Sequence, residues 1–376
     1  MISKRRLLGF VWPAILVLSA CSGSPRDYLE RGRRLAAEGK AEEAVLSFRK
    51  AIQKDPRLAP AYAELHDLLD RTNRTEEAFA LIRQASDLLP AEEAVQSRYF
   101  PAAYQRMAGD PRQTQAYYQD LDRKSSALLA ARPGSPAALL MRARLASYGN
   151  RPAEAAELYR RAHEASPGDL ALSLEYAREL ARAGRLEEGA ALARGVIAQR
   201  PDYAAAYDTL YAAYAAAGRM GEAEELLKRK TAANPAVARY RVELAEHYAR
   251  TGDRAAQEAV LRELLASGLP YARTYVGDFY AARGEWEQAL GHYQQGGTTA
   301  DRKRMARAYV ALNRRQEADQ LIRELIRAEP DDPELKAARG ALLLDPEVVQ
   351  STAGVLFKQR EDVAALTTEL ITEVLA

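Results

Sequence analysis

The residues that could do chemistry in this 376-residue chain are few: one cysteine, four histidines and a set of paired carboxylates. The histidines, His66, His163, His247 and His292, lie far apart, and none shares a HExxH or HxxxH spacing that would put two imidazoles on one helical face. A single cysteine, Cys21, excludes a disulfide framework, a cysteine-rich zinc site and an iron–sulfur cluster. No GxSxG, P-loop or GxGxxG occurs. Carboxylate pairs such as Glu42-Glu43 and Glu187-Glu188 have the residue types for general acid–base work. They fall just after a Gly or Asn, however, where a helix would begin, and acidic side chains there complement the helix dipole. The expectation is therefore no enzyme, no metal and no cofactor.

Charge gives no further chemistry. Lys and Arg number 54 against 52 Asp and Glu, a formal net charge of +2, so no global field draws nucleic acid. Alanine supplies 75 residues, against 22 Gly and 17 Pro. Ala is the best helix former, so the elements that must position any site are helices nearly throughout.

The cysteine has a context. Lys4, Arg5 and Arg6 precede an apolar stretch from Leu7 to Leu18, interrupted by Gly9 and Pro13. Twelve residues are too few to span a bilayer, which takes about 20, but they fit the h-region of a signal peptide. Leu18-Ser19-Ala20-Cys21 then resembles the lipobox of bacterial lipoproteins. That resemblance implies cleavage before Cys21, acylation of its thiol and amino terminus, and membrane anchoring through several acyl chains. Ser22 in place of Asp implies the outer membrane, facing the periplasm. Loss of residues 1–20 removes three positive charges and leaves a net charge of −1.

Three residue ladders organise the rest. Pro56 and Pro90 are 34 apart, as are successive members of Pro133, Pro167, Pro201 and Pro235. Gly39, Asn73, Asn150, Gly184, Gly218, Gly252, Gly284 and Asn313 share one place in eight units, and are residues that accept the left-handed conformation ending a helix. Ala44, Ala78, Ala155, Gly189, Ala223, Ala289 and Ala318 form a small-residue ladder that lets two helices approach closely. The ladders resemble the tetratricopeptide repeat over about residues 25–340. The first unit carries Tyr28, Gly32, Leu35, Ala44, Phe48, Ala51 and Pro56 at the motif positions; the unit at 136–169 carries Ala143, Ala155, Tyr159, Ala162 and Pro167. The resemblance implies an all-α fold, a right-handed superhelical solenoid of antiparallel helix pairs in which each pair buries its apolar face only against its neighbours.

The expected organisation is a signal peptide at 1–20, a lipidated tether at 21–24, repeats at 25–92, a degenerate helical pair at 93–135, repeats at 136–344 and a capping helix within 345–376. The pair at 93–135 departs from the repeat because Pro90 and Pro133 are 43 apart, nine more than one unit. Tyr207 and Tyr214 hold core positions; Tyr211 stands where a small residue belongs.

In this family, positions 2, 5, 9, 12 and 13 of the first helix of each pair face a concave groove. Here these include Leu29, Arg33, Asp67, Leu140, Arg144, Tyr148, Leu174, Arg178, Arg182, Asp208 and Asp278. The implied partner site is Arg33 with the mid-groove set Arg144, Tyr148, Arg178 and Arg182, suited to an extended or C-terminal peptide. Reversing Arg178 and Arg182 together should weaken capture and leave the thermal melt unchanged. Leu29 and Arg33 stand where chaperone-binding members carry Lys and Asn, which argues against a cochaperone. The implied function is a lipid-anchored scaffold or adaptor for envelope assembly or secretion. The competing reading is a polysaccharide-binding lipoprotein whose groove guides an exported glycan.

Overall fold

The computed structural model describes residues 23–343. The signal peptide, Cys21 and the segment 345–376 lie outside those residues. Contacts divide the chain into two compact units, meeting at Leu192 and Ala193.

The first unit holds α1 (Pro25–Ala37), α2 (Ala41–Lys54), α3 (Ala59–Arg71), α4 (Thr75–Leu88), α5 (Glu93–Gly109), α6 (Thr114–Ala131), α7 (Pro136–Tyr148), α8 (Pro152–Ala165) and α9 (Leu170–Arg182); α10 (Leu186–Gln199) carries the boundary. The second unit continues with α11 (Ala204–Ala216), α12 (Met220–Ala233), α13 (Ala238–Thr251), α14 (Arg254–Ala266), α15 (Ala272–Ala281), α16 (Trp286–Gly296), α17 (Thr299–Ala311), α18 (Arg315–Ala328) and α19 (Pro333–Leu343). No strand occurs among the described residues.

Eight first helices end for a reason visible in their residues. All eight members of the Gly/Asn ladder have positive φ, from +53° at Asn150 to +81° at Gly252. At each, the amide of the following residue donates to the carbonyl five residues back: Lys40 to Leu35, Arg74 to Leu69, Arg185 to Leu180, Arg314 to Tyr309. That bond occupies a carbonyl the helix end would leave open. Helix starts are capped less uniformly. Ser24 and Asp27 form a reciprocal capping box on α1, and Thr298 and Asp301 form another on α17.

The small-residue ladder sits where helices of one pair cross. Ala44, Ala78, Ala155, Ala223, Ala289 and Ala318 are fully buried. A Cβ built on Gly189 would collide with the carbonyl oxygen of Ala177, so α9 and α10 touch there backbone to backbone. Gly32 lies under the Phe48 ring and Gly277 under the Tyr293 ring in the same way. Within each unit, helices of one pair meet the first helix of the next, as α2 meets α3 and α12 meets α13, and first helices also meet one another: α1 with α3, α3 with α5, α5 with α7, and α13 with α15. Apolar residues accordingly form a series of clusters along each unit instead of one centre.

The irregular stretch after Pro90 is absorbed by length. α5 has 17 residues and α6 has 18, against 13 or 14 in the pairs on either side. The surplus lies at the α5–α6 turn. Pro101 is accommodated inside α5.

Candidate functional groove

Two first helices of the N-terminal unit, α7 and α9, carry the mid-groove residues Arg144, Tyr148, Arg178 and Arg182, and α5 packs beside α7. Phe100, Pro101, Leu140, Met141, Arg144 and Leu172 line a cavity of about 190 Å³ that α5, α7 and the start of α9 share. Its floor is apolar, and its wall carries the charged groups Arg144, Glu93 and Asp169.

Arg144 is engaged within the chain. Its Nε and Nη2 donate to the two carboxylate oxygens of Glu175 on α9 at 2.9 and 2.6 Å, and the Tyr159 hydroxyl donates to the same carboxylate at 2.9 Å. Burial pushes the Glu175 carboxyl up, but the hydrogen bonds and charge of Arg144 outweigh it and hold the group below its ordinary value. The Arg144 guanidinium lies 5.9 Å from the Tyr104 ring centre. Burial raises the Tyr104 phenol, which also feels Arg144, Glu175, Tyr148 and Arg178, so these five form one electrostatic neighbourhood.

Arg182 is engaged as well. It donates to Glu179 and Ser147, each at 2.9 Å, and to the Asn150 side chain at 3.1 Å. Glu179 is 3% exposed, so Arg182 neutralises a buried carboxylate. This corrects the expectation that reversing Arg178 and Arg182 together would be thermally silent: reversal at Arg182 strands a buried charge.

Arg178 differs from both. It is exposed and makes no hydrogen bond or ion pair among the described residues. Glu175 pairs with Arg144 and Glu179 with Arg182, so Arg178 is the unpaired guanidinium of the three. Tyr148, 52% exposed, rests its ring 6.2 Å from that of Tyr118. The uncommitted groups on α7 and α9 are thus one guanidinium and one tyrosine.

Other residues assigned to the groove have different surroundings. Arg33 donates to Glu30 at 2.8 Å and to Glu64 at 2.9 Å, joining α1 to α3. Leu29 and Leu174 are buried in the apolar interior, which overrides their repeat position. Asp67 pairs with Arg98. In the second unit, Asp208 accepts from the buried Lys230, which also donates to Glu243, and Asp278 accepts from Tyr293 and Arg304. Tyr207 and Tyr214 are buried, as their core positions require, while Tyr211 packs forward and its hydroxyl meets His247 Nδ1 at 3.2 Å.

Sequence reasoning missed Tyr104, Glu175 and Glu179. Tyr104 lies in the segment where the repeat register is lost. The two glutamates were legible in the spacing Glu175, Arg178, Glu179, Arg182, an i, i+3, i+4 alternation that pairs opposite charges along one helix. Among the described residues, no group of three or more His, Cys, Asp or Glu is placed to hold a metal ion, and no helix is long and apolar enough to cross a membrane.

The pairs, their left-handed ends and their stepwise packing define a helix-pair solenoid in each unit. Comparison with known families agrees. Tetratricopeptide repeat models match residues 149–214, 276–305 and 302–336. The chain is a tetratricopeptide-repeat protein. Its units outside the matched segments show the same cap and small-residue geometry.

Solved structures with which it aligns include a tetratricopeptide repeat protein from Parabacteroides merdae, at 14% identity and a TM-score of 0.43, covering 75% of this chain and 97% of that one. YrrB, described as a TPR protein with an unusual peptide-binding site, aligns at 21% identity and a TM-score of 0.38, covering 50% of this chain and 92% of its own. PilW, described as a type IV pilus biogenesis factor, aligns at 16% identity and a TM-score of 0.36, covering 64% and 92%. Comparison with curated proteins finds no match.

Proposed function

We propose that this protein is a lipid-anchored adaptor of the bacterial envelope, held by acyl chains on Cys21 at the periplasmic face of the outer membrane, and that it captures a protein partner in the groove of α5, α7 and α9. Partner capture serves envelope assembly or secretion, in pilus, outer-membrane or exopolysaccharide export machinery. The observation that carries the binding role is the unpaired Arg178 on α9 and the exposed Tyr148 on α7, on helices that also line a cavity of about 190 Å³ with an apolar floor. An extended segment with an apolar side chain for the cavity and a carboxylate for Arg178 matches that arrangement. The Leu-Ser-Ala-Cys motif supports the anchor.

Arg178→Glu and Tyr148→Ala alter exposed side chains that make no hydrogen bond or ion pair among the described residues. Crosslinking in intact cells should therefore show partner capture falling about tenfold or more in the double variant. Its melt should match that of the parent. Undiminished capture by the double variant would remove this groove as the binding site.

A further inference from the structure

A second cavity, of about 1000 Å³, lies between α4 and the turn joining α5 to α6. It is at the upper end of the roughly 300–1,000 Å³ range usual for ligand sites. Its wall is built from the surplus turn of the irregular third pair. Gln105, Arg106, Gly109 and Gln113 come from the end of α5 and the turn, and Tyr117 from the start of α6. They face Glu76, Phe79, Arg83, Gln84 and Asp87 of α4. The nine residues that break the 34-residue period thus supply one side of this space.

The lining sorts into closed and open groups. Arg106 donates to Glu76 at 2.6 Å while its guanidinium sits over the Phe79 ring, 3.7 Å from the ring centre. Asp87 is paired with Lys124 at 2.7 Å, and Asp110 accepts from Gln113 at 2.8 Å. The carboxylates and one guanidinium are therefore satisfied internally. Left open are the Gln84 and Gln105 amides, the Arg83 guanidinium and the Tyr117 hydroxyl, none with a hydrogen bond among the described residues. Three carboxylates face two guanidiniums in the lining, so the cavity has no excess positive charge for an anion. Planar amides, each both donor and acceptor, beside a half-buried aromatic ring match vicinal hydroxyls and the C–H face of a sugar ring.

We infer that this cavity is a binding site for a neutral saccharide of a few units, held by Gln84, Gln105 and Arg83 with its ring against Tyr117. The site shares no residue with the groove of α5, α7 and α9, and it stands or falls independently of the adaptor reading.

The full chain should be applied to an array of oligosaccharides of two to six glucose, mannose, galactose or N-acetylglucosamine units, together with hexuronate-containing counterparts. A retained neutral saccharide should then be titrated by calorimetry. Gln84→Ala combined with Gln105→Ala, both exposed and unbonded, should weaken binding about tenfold or more with an unchanged melt; Tyr117→Ala should weaken binding too, with a lowered melt because its ring also packs against Phe79. Arg178→Glu should bind as the parent does. Retention of no saccharide, retention of acidic ones alone, or equal affinity in the Gln84 and Gln105 double variant would overturn the inference. The glutamine variant decides the matter even if Tyr117→Ala fails to fold.

Discussion

Gly184, Gly189 and Gly195 lie close together in the chain, and each is glycine for a different physical reason or for none. Gly184 has φ +79° with open space around its missing Cβ, so a substitution there meets backbone strain alone. Gly189 abuts the Ala177 carbonyl, where a Cβ has no room and backbone must move. Gly195 is open on all sides inside α10, where glycine only adds unfolded-state entropy. Gly184→Ala should cost about 1–2 kcal/mol and Gly189→Ala about 1–3 kcal/mol, while Gly195→Ala should gain about 0.5–1 kcal/mol. Thermal melts rank the three; a stabilised Gly189→Ala would mean that α9 and α10 do not meet at that point.

His247 gives a pH dependence at the same scale. Burial pushes its imidazole below the ordinary value, with Glu224 opposing and Arg250 reinforcing, and its Nε2 is buried without a partner. Burial and Arg273 lower His292 likewise. The unfolded chain takes up these protons first, as pH falls through about 6.5, so stability is full above that value and declines below it. The ordinary carboxylate range lies near pH 4, leaving the interval from 6.5 to 5 to the histidines. Melting temperature should drop between pH 7.5 and 5.5 in the parent and drop less in a His247→Gln, His292→Gln variant. An equal drop in both would assign the effect to other groups.

At the scale of the element, α17 depends on a carboxylate that does three things. Asp301 is fully buried, accepts from Thr274 on α15 at 2.6 Å, and closes the capping box with Thr298. Asp301→Ala should therefore remove a cap and leave a buried hydroxyl unpaired, costing about 2–4 kcal/mol. Hydrogen exchange should show the loss as faster exchange in the first turn of α17, with α3 unaffected. How much of this was legible follows the same line. Helix ends were readable because Gly and Asn advertise a positive φ, and the close crossings because only Ala or Gly fits them. The start of α1 at Pro25 followed from its place in the repeat. The partners of Arg33, Arg144 and Arg182 were not readable from repeat position. A position number says which way a side chain leaves its helix, not which carboxylate on the next helix reaches it. Leu29 and Leu174 failed for the converse reason, since burial against neighbours overrode the face their position implies.

For the whole molecule, the proposed tether lies outside the described helices. Cys21 lies before the first described residue, and α1 is already capped by Ser24. Cys21→Ser should abolish incorporation of a palmitate analogue and release the protein from the membrane fraction, with helicity and melting temperature retained. Label kept by that variant would remove Cys21 as the anchor.

The stepwise packing of each unit bears on how the chain is made. Within each unit, the main contacts of a helix are with its immediate neighbours and with the first helix of an adjacent pair, so they do not wait for a distant part of the sequence. Each hairpin can close as soon as some thirty residues are free and then serve as the template for its successor. A chain threaded end-first through a narrow pore, from a ribosome or across a membrane, would acquire structure in the order in which it emerges, and a stall at any point would leave a finished stack behind it instead of a collapsed, unfinished core.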